Sequence, residues 1–247
     1  MRVKLSGAKV LVTGATSGIG RSLVEELNRE GARVIVVARD PAKLERLAER
    51  YPLAGVYQCD LGDPVALAKL GDDLLLRHPD LHVLINNAAV QQNLPFDSQE
   101  STPEGIAYEL NTNLLAPVLL CRKLLPLLKR QPEAAILNVT SGLALVPKQS
   151  SAVYCGSKGG LRIFTQALRL QLEGSSVRVI EALPPVVDTP MTEGRGRDKV
   201  SPDSVAQEMV RALRGREREL YLGKVRLLHW LSRIAPGVAR RIMRRLG

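Results

Sequence analysis

Aromatic side chains are scarce in this sequence. One tryptophan, five tyrosines and two phenylalanines make up 3% of 247 residues. A core built with so few rings must be aliphatic, and the stacking platforms that read single-stranded nucleic acid are missing. Cysteine is sparse as well. Cys59, Cys121 and Cys155 are odd in number and form no C-x-x-C, which argues against a disulfide framework and fits a reducing cytoplasm. His78, His82 and His229 show no metal-ligand spacing, so no metal is expected. No apolar run approaches the ~20 residues that span a bilayer. The first nine residues are too short and polar for a secretory signal. The expectation is a soluble, cytoplasmic protein.

What is present is ordinary for a globular chain: 45% hydrophobic and 24% charged residues. A chain of this length buries about three quarters of its unfolded surface. The formal net charge of +10 fits an anionic cofactor or a generally basic composition. With no zinc-finger spacing and few rings, a nucleic-acid partner is not expected.

Short β-branched apolar runs alternate with longer amphipathic stretches. The strand-like runs are 9–13, 33–38, 55–60, 81–86, 134–140, 176–183 and 219–222. They are apolar on both faces, as parallel strands under helices must be. Asp40-Pro41, Asp63-Pro64, Thr102-Pro103 and Ser201-Pro202 each place a capping side chain before a proline suited to a first helical turn. Repeated strand–helix units predict an α/β fold, a doubly wound parallel sheet of about seven strands in one domain, 1–247.

V-L-V-T-G-A-T-S-G-I-G runs from the first strand into the first helix. Gly14, Gly18 and Gly20 at that junction permit a tight turn and let a pyrophosphate approach backbone amides at a helix N-terminus. The spacing, T-G-x-x-x-G-x-G, resembles that of the short-chain dehydrogenase/reductase family in its ~250-residue form. Asn86-Asn87-Ala88-Ala89 matches the family's N-N-A-G with alanine at the last position. Tyr154 and Lys158 form Y-x-x-x-K, Ser141 lies 13 residues before the tyrosine, and Asn113 sits in L-N-T-N-L.

The resemblance implies a Rossmann-type fold and a tetrad of Asn113, Ser141, Tyr154 and Lys158. Tyr154 is then the proton donor in carbonyl reduction, and Ser141 polarises the carbonyl. Lys158 draws the phenol's pKa from near 10 toward 7, and Asn113 holds a relay water. Strand alternation turns Thr140 to the other face. The resemblance also implies a cofactor set of Gly14, Thr16, Ser17, Gly18, Ile19, Gly20, Arg39, Asp60, Leu61, Asn87, Val187 and Thr189, together with Tyr154 and Lys158.

Arg39 and Asp40 point to different dinucleotides. A cation at the end of the second strand suits the 2′-phosphate of NADP, and a carboxylate suits the ribose of NAD. Asp40 precedes Pro41 and reads as a helix cap. Arg39 has no such duty, and a guanidinium pairs bidentately with phosphate. NADP(H) is therefore favoured, with NAD(H) the alternative.

L-P-P-V-V-D-T-P-M carries Pro185 where the family has glycine. The polar segment 190–200 reads as a substrate lid, with Arg195 and Arg197 available to an acidic substrate. The tail, 225–247, is basic and amphipathic. Leu227, Leu228, Leu231 and Ile234 recur at helical spacing, and a second short helix, 238–246, carries Arg240, Arg241, Arg244 and Arg245. Packing on the domain or on another subunit is the preferred reading, and contact with an anionic membrane surface is the alternative. The tail, Pro184-Pro185 and V-T-S-G-L-A resemble a subgroup of the family labelled the DltE type. The expectation is an NADP(H)-dependent oxidoreductase acting on a small carbonyl or alcohol substrate, as a homodimer or homotetramer. The rival is an NADP(H)-binding sensor or scaffold with little turnover, membrane-peripheral through its tail.

Overall fold

The computed structural model describes residues 2–196 and 198–245. Seven parallel strands lie in the order β3-β2-β1-β4-β5-β6-β7. They are β1 (Lys9–Thr13), β2 (Arg33–Ala38), β3 (Leu53–Gln58), β4 (Leu81–Asn86), β5 (Ala134–Val139), β6 (Val177–Leu183) and β7 (Glu219–Tyr221). Four expected runs shift at their ends. The strand expected at 55–60 begins and ends two residues earlier, so Asp60 lies beyond β3 rather than closing it.

Alternation along each strand builds two cores. Val10, Val12, Val34 and Val36 face one layer, and Leu11, Ile35 and Leu84 face the other. The first layer is closed by α1 (Gly18–Arg29), α2 (Pro41–Arg50) and α7 (Pro202–Arg214), through Leu23, Leu27, Leu47 and Met209. The second is closed by α3 (Pro64–Arg77), α5 (Ala116–Arg130) and α6 (Ala152–Gln171), through Leu70, Leu74, Leu120, Leu124 and Leu168. Helix α4 (Pro103–Leu110) runs into α5 through a π-helical turn, Asn111–Leu115.

The expected caps form. Asp40 accepts from Lys43 N at 3.1 Å, Asp63 from Val65 N at 2.8 Å, Thr102 from Gly105 N at 3.1 Å and Ser201 from Ser204 N at 3.2 Å. Each satisfies an amide that the first helical turn leaves open.

The tail folds as α8 (Val225–Ile234) and α9 (Pro236–Arg245). Helix α9 begins two residues earlier than its sequence reading, because Pro236 suits a first-turn position. Val225 and Ala239 are buried, which seats the tail on the domain. Arg197, Leu246 and the side chain of Arg245 lie outside the described residues. Among the described residues no helix is long and apolar enough to cross a membrane.

Sheet order reverses between β1 and β4. The crevice opens beyond the carboxyl ends of those strands, where the site lies.

Candidate active site

A cavity of about 1130 Å³ runs along the carboxyl edge of the sheet. All the residues expected at the cofactor line it, from Gly14, Thr16, Ser17, Gly18, Ile19 and Gly20 to Arg39, Asp60, Leu61, Asn87, Val187 and Thr189. Ser141, Tyr154 and Lys158 line it too.

The floor of one end is backbone. A Cβ on Gly20 would lie 2.0 Å from the carbonyl oxygen of Gly14. Gly18 has φ +49°, and a Cβ there would lie 2.6 Å from Thr189 Cγ2. Both positions require glycine, and both leave an open cradle at the N-terminus of α1. Asn87 ties the cradle to β1. Its Nδ2 donates to Thr13 O at 2.9 Å, and Thr13 Oγ1 accepts from Asn87 N at 3.0 Å and Ala88 N at 3.1 Å.

Farther along, the Arg39 guanidinium donates to the Tyr108 hydroxyl, which donates to Asp60 at 3.1 Å. A charged guanidinium and a backbone cradle at two points of one cleft suit a ligand with separated phosphates. These features fit a phosphorylated dinucleotide.

At the chemical end, Ser141 follows β5 and Tyr154 begins α6. Ser141 Oγ accepts from Leu143 N at 3.1 Å and lies near enough to the Tyr154 phenol to lower its pKa. Lys158 lies one turn beyond Tyr154. Its ammonium is 5.8 Å from the ring centroid and donates to Val139 O at 2.9 Å. Lys158 is only 2% exposed.

The titration of this pair differs from the sequence expectation. Burial pushes the Tyr154 phenol up, to about 12, against a downward pull from the neighbouring Ser141 hydroxyl and Arg195. Burial likewise pushes Lys158 down, to about 8, opposed by the Glu109 carboxylate. The expected shift of Tyr154 toward 7 is therefore reversed in the protein alone. The reason is desolvation of a phenol whose cationic neighbour is turned toward Val139 O.

Asn113 stands behind the cavity. Its Oδ1 accepts from Val90 N at 2.8 Å, and its Nδ2 donates to Val90 O at 2.8 Å and Ser157 Oγ at 3.2 Å. Both amide hydrogens are used, so the side chain splints the segment after β4 to α6. It does not present a free donor for the relay water that sequence reasoning assigned to it. Thr140 turns away as expected, donating to Glu181 Oε1 at 2.7 Å.

Sequence reasoning missed three features. Tyr108 is the first, and its link to Arg39 spans 69 residues with no local signal. Glu109 is the second. It is 1% exposed, accepts from Gln92 N at 3.4 Å through one oxygen, and has no partner for the other. The third is the role of the tail: Leu228, Leu231 and Met243 line the same cavity as Tyr154. Their helical spacing was visible in the sequence, but not the surface they face.

The family model for "short chain dehydrogenase" matches residues 8–200. The Bacillus subtilis protein called "Uncharacterized oxidoreductase DltE" is 40% identical over 199 residues, 80% of this chain and 78% of that protein. Human L-xylulose reductase is 34% identical over 203 residues, 80% of this chain and 79% of that protein. A Burkholderia cenocepacia short chain dehydrogenase solved in complex with NADP superposes with a TM-score of 0.86 at 27% identity, covering 98% of this chain and 99% of that one. Other solved structures of this shape hold NADPH in one case and NADH in another.

Proposed function

This chain belongs to the short-chain dehydrogenase family, and from that premise we propose that it is an NADP(H)-dependent reductase of carbonyl compounds, with Tyr154 as proton donor. The observation that carries the proposal is the grouping of Ser141, Tyr154 and buried Lys158 in the same cleft as the glycine cradle. Gly14, Gly18, Gly20 and the amides beginning α1 would hold the pyrophosphate, and Arg39 the 2′-phosphate. Arg39 supplies the preference for NADP(H), in keeping with the NADP held by the Burkholderia cenocepacia relative. When bound, the cofactor supplies the hydride that reaches the carbonyl carbon.

The chain's own groups handle the oxygen. Ser141 Oγ donates to the carbonyl oxygen and orients it. Tyr154 gives that oxygen its proton as the carbonyl becomes an alcohol. A phenol held near 12 is a reluctant donor, so Lys158 must lower it as the reaction proceeds. An ammonium 4–6 Å away at an effective dielectric of about 20 contributes roughly 3–4 kcal/mol of phenolate stabilisation before desolvation opposes it. Asn113 acts as a positioning residue that holds the Val90 segment against α6. Residues 1–247 then work as one nucleotide-binding unit, with 190–200 as the movable cover of the substrate.

The test is oxidation of NADPH and of NADH across a panel of aldehydes and ketones. Turnover with a preference for NADPH is expected. Tight NADPH binding with no turnover on any carbonyl would favour the sensor reading instead.

A further inference from the structure

The substrate end of the cavity is walled by the C-terminal helices. Helix α8 sits on the residue that follows Ser141: a Cβ on Gly142 would lie 2.9 Å from Val225 Cγ2 and 3.7 Å from Leu228 Cδ2. The helix is held there by Val225, 3% exposed, and by stacking of His229 on Tyr221, with centroids 3.9 Å apart. Leu228, Leu231 and Met243 from the tail then face a shared space with Leu143, Val186 and Met191 from the loops after β5 and β6.

None of these six side chains carries a hydrogen-bond donor or an aromatic face. Four of the polar groups that share the cavity here each make a hydrogen bond within the protein. Gln91 donates to Ser151 Oγ at 2.9 Å, Thr192 to Thr189 O at 3.1 Å and Lys224 to Asp198 at 2.9 Å, while Arg195 donates to Met191 O. Lys148 lines the cavity as well, with a half-buried side chain whose aliphatic stem adds to the wall.

We propose that the substrate is an aliphatic carbonyl compound whose chain of several carbons lies against α8 and α9 while its carbonyl meets Ser141 and Tyr154. The inference rests on the carbonyl-reductase reading above and narrows it. A flexible alkyl chain loses nothing by leaving water for leucine and methionine, and methionine adapts to irregular shapes. A sugar would lose water at each hydroxyl and find few free partners, which is costly. The tail is on this account a specificity element, since removing it would open the apolar end of the cleft to solvent.

The experiment is a chain-length series with NADPH, from 2-butanone to 2-decanone, alongside a ketopentose. Each methylene that reaches the wall should raise kcat/KM about three- to fourfold, giving about 100-fold between 2-butanone and 2-octanone. The ketopentose should fall well below 2-octanone. Leu231→Asn on α8 and Met243→Gln on α9 should each flatten the slope, with NADPH titration reporting that both variants are folded. A flat or falling series, an unchanged slope in both folded variants, or a ketopentose that matches 2-octanone would overturn the inference and leave carbonyl reduction standing. Failure to reduce any of these carbonyls would remove carbonyl reduction itself, and this inference with it.

Discussion

The guanidinium of Arg39 hydrogen-bonds to the hydroxyl of Tyr108, which in turn lies 3.1 Å from both carboxylate oxygens of Asp60. The Tyr108 ring is itself fixed, because a Cβ on Gly62 would lie 2.3 Å from its Cε2. Tyr108 thus aims a cation that strand β2 delivers. Tyr108→Phe keeps the ring and removes the aim. The variant loses the aim but keeps the Arg39 charge and its phosphate contact, so the loss should be a fraction of a charge-assisted bond, about 0.5–1.5 kcal/mol: NADPH affinity should fall about 2- to 12-fold, with NADH affinity little changed. Fluorescence titration of both cofactors checks this, and equal losses for the two would reduce Tyr108 to a structural role.

Arg39→Asp should cost more. A charge-assisted contact is worth roughly 1.5–3 kcal/mol, which predicts about a 10- to 150-fold loss of preference for NADPH over NADH. Asp40→Asn should leave the preference unchanged, because Asp40 is occupied as the cap of α2, accepting from Lys43 N at 3.1 Å. A shift caused by Asp40→Asn rather than Arg39→Asp would reverse the assignment.

The sheet, the caps and the glycine cradle were legible in the sequence because each is local. A cap needs a side chain and an amide two or three residues apart, and the cradle needs glycines within seven residues. Ser141, Tyr154 and Lys158 were legible as a spacing on one strand end and one helix. What the spacing left open was the balance between charge and burial. Lys158 turns to Val139 O, so desolvation wins at Tyr154 in the protein alone. Tyr108 and the cavity face of α8 stayed hidden, because both depend on partners brought together from distant segments. Asn113 was visible in the sequence as a motif position but not as a splint, since Val90 offers a backbone contact that no side-chain pattern encodes.

Lys158 should destabilise the fold at neutral pH. Its folded pKa of about 8 lies below the ordinary 10.5, so between those values the unfolded chain holds more protons than the folded one. Stability from this group therefore rises with pH across roughly 8 to 10.5 and is at its lowest below 8. Lys158→Met should stabilise the protein at pH 7 by on the order of 3–4 kcal/mol, less the cost of freeing Val139 O. The gap should narrow as pH rises toward 10. Urea unfolding of both proteins at pH 7 and pH 10 tests this, and a gap that widens with pH would contradict it.

Helix α5 with the π-helical turn before it, and neighbouring α6, expose apolar side chains at helical spacing: Leu115 at the end of that turn and Leu119 on the first turn of α5, Ile163 and Leu170 two turns apart on α6. We expect them to meet a second copy of the chain. Light scattering at micromolar concentration should give a dimer or tetramer, and Ile163→Glu with Leu170→Glu should shift it toward monomer. A monomeric wild type would rule this face out as a self-association surface.

Steady-state NADPH oxidation by Tyr154→Phe tests the central claim most directly. The ring and its packing remain, and only the proton donor is lost. General acid catalysis contributes roughly 100- to 10,000-fold, so kcat should fall by that range on the best carbonyl substrate while the Kd for NADPH stays within about twofold. A Tyr154→Phe protein that retained wild-type kcat on that substrate would contradict the account.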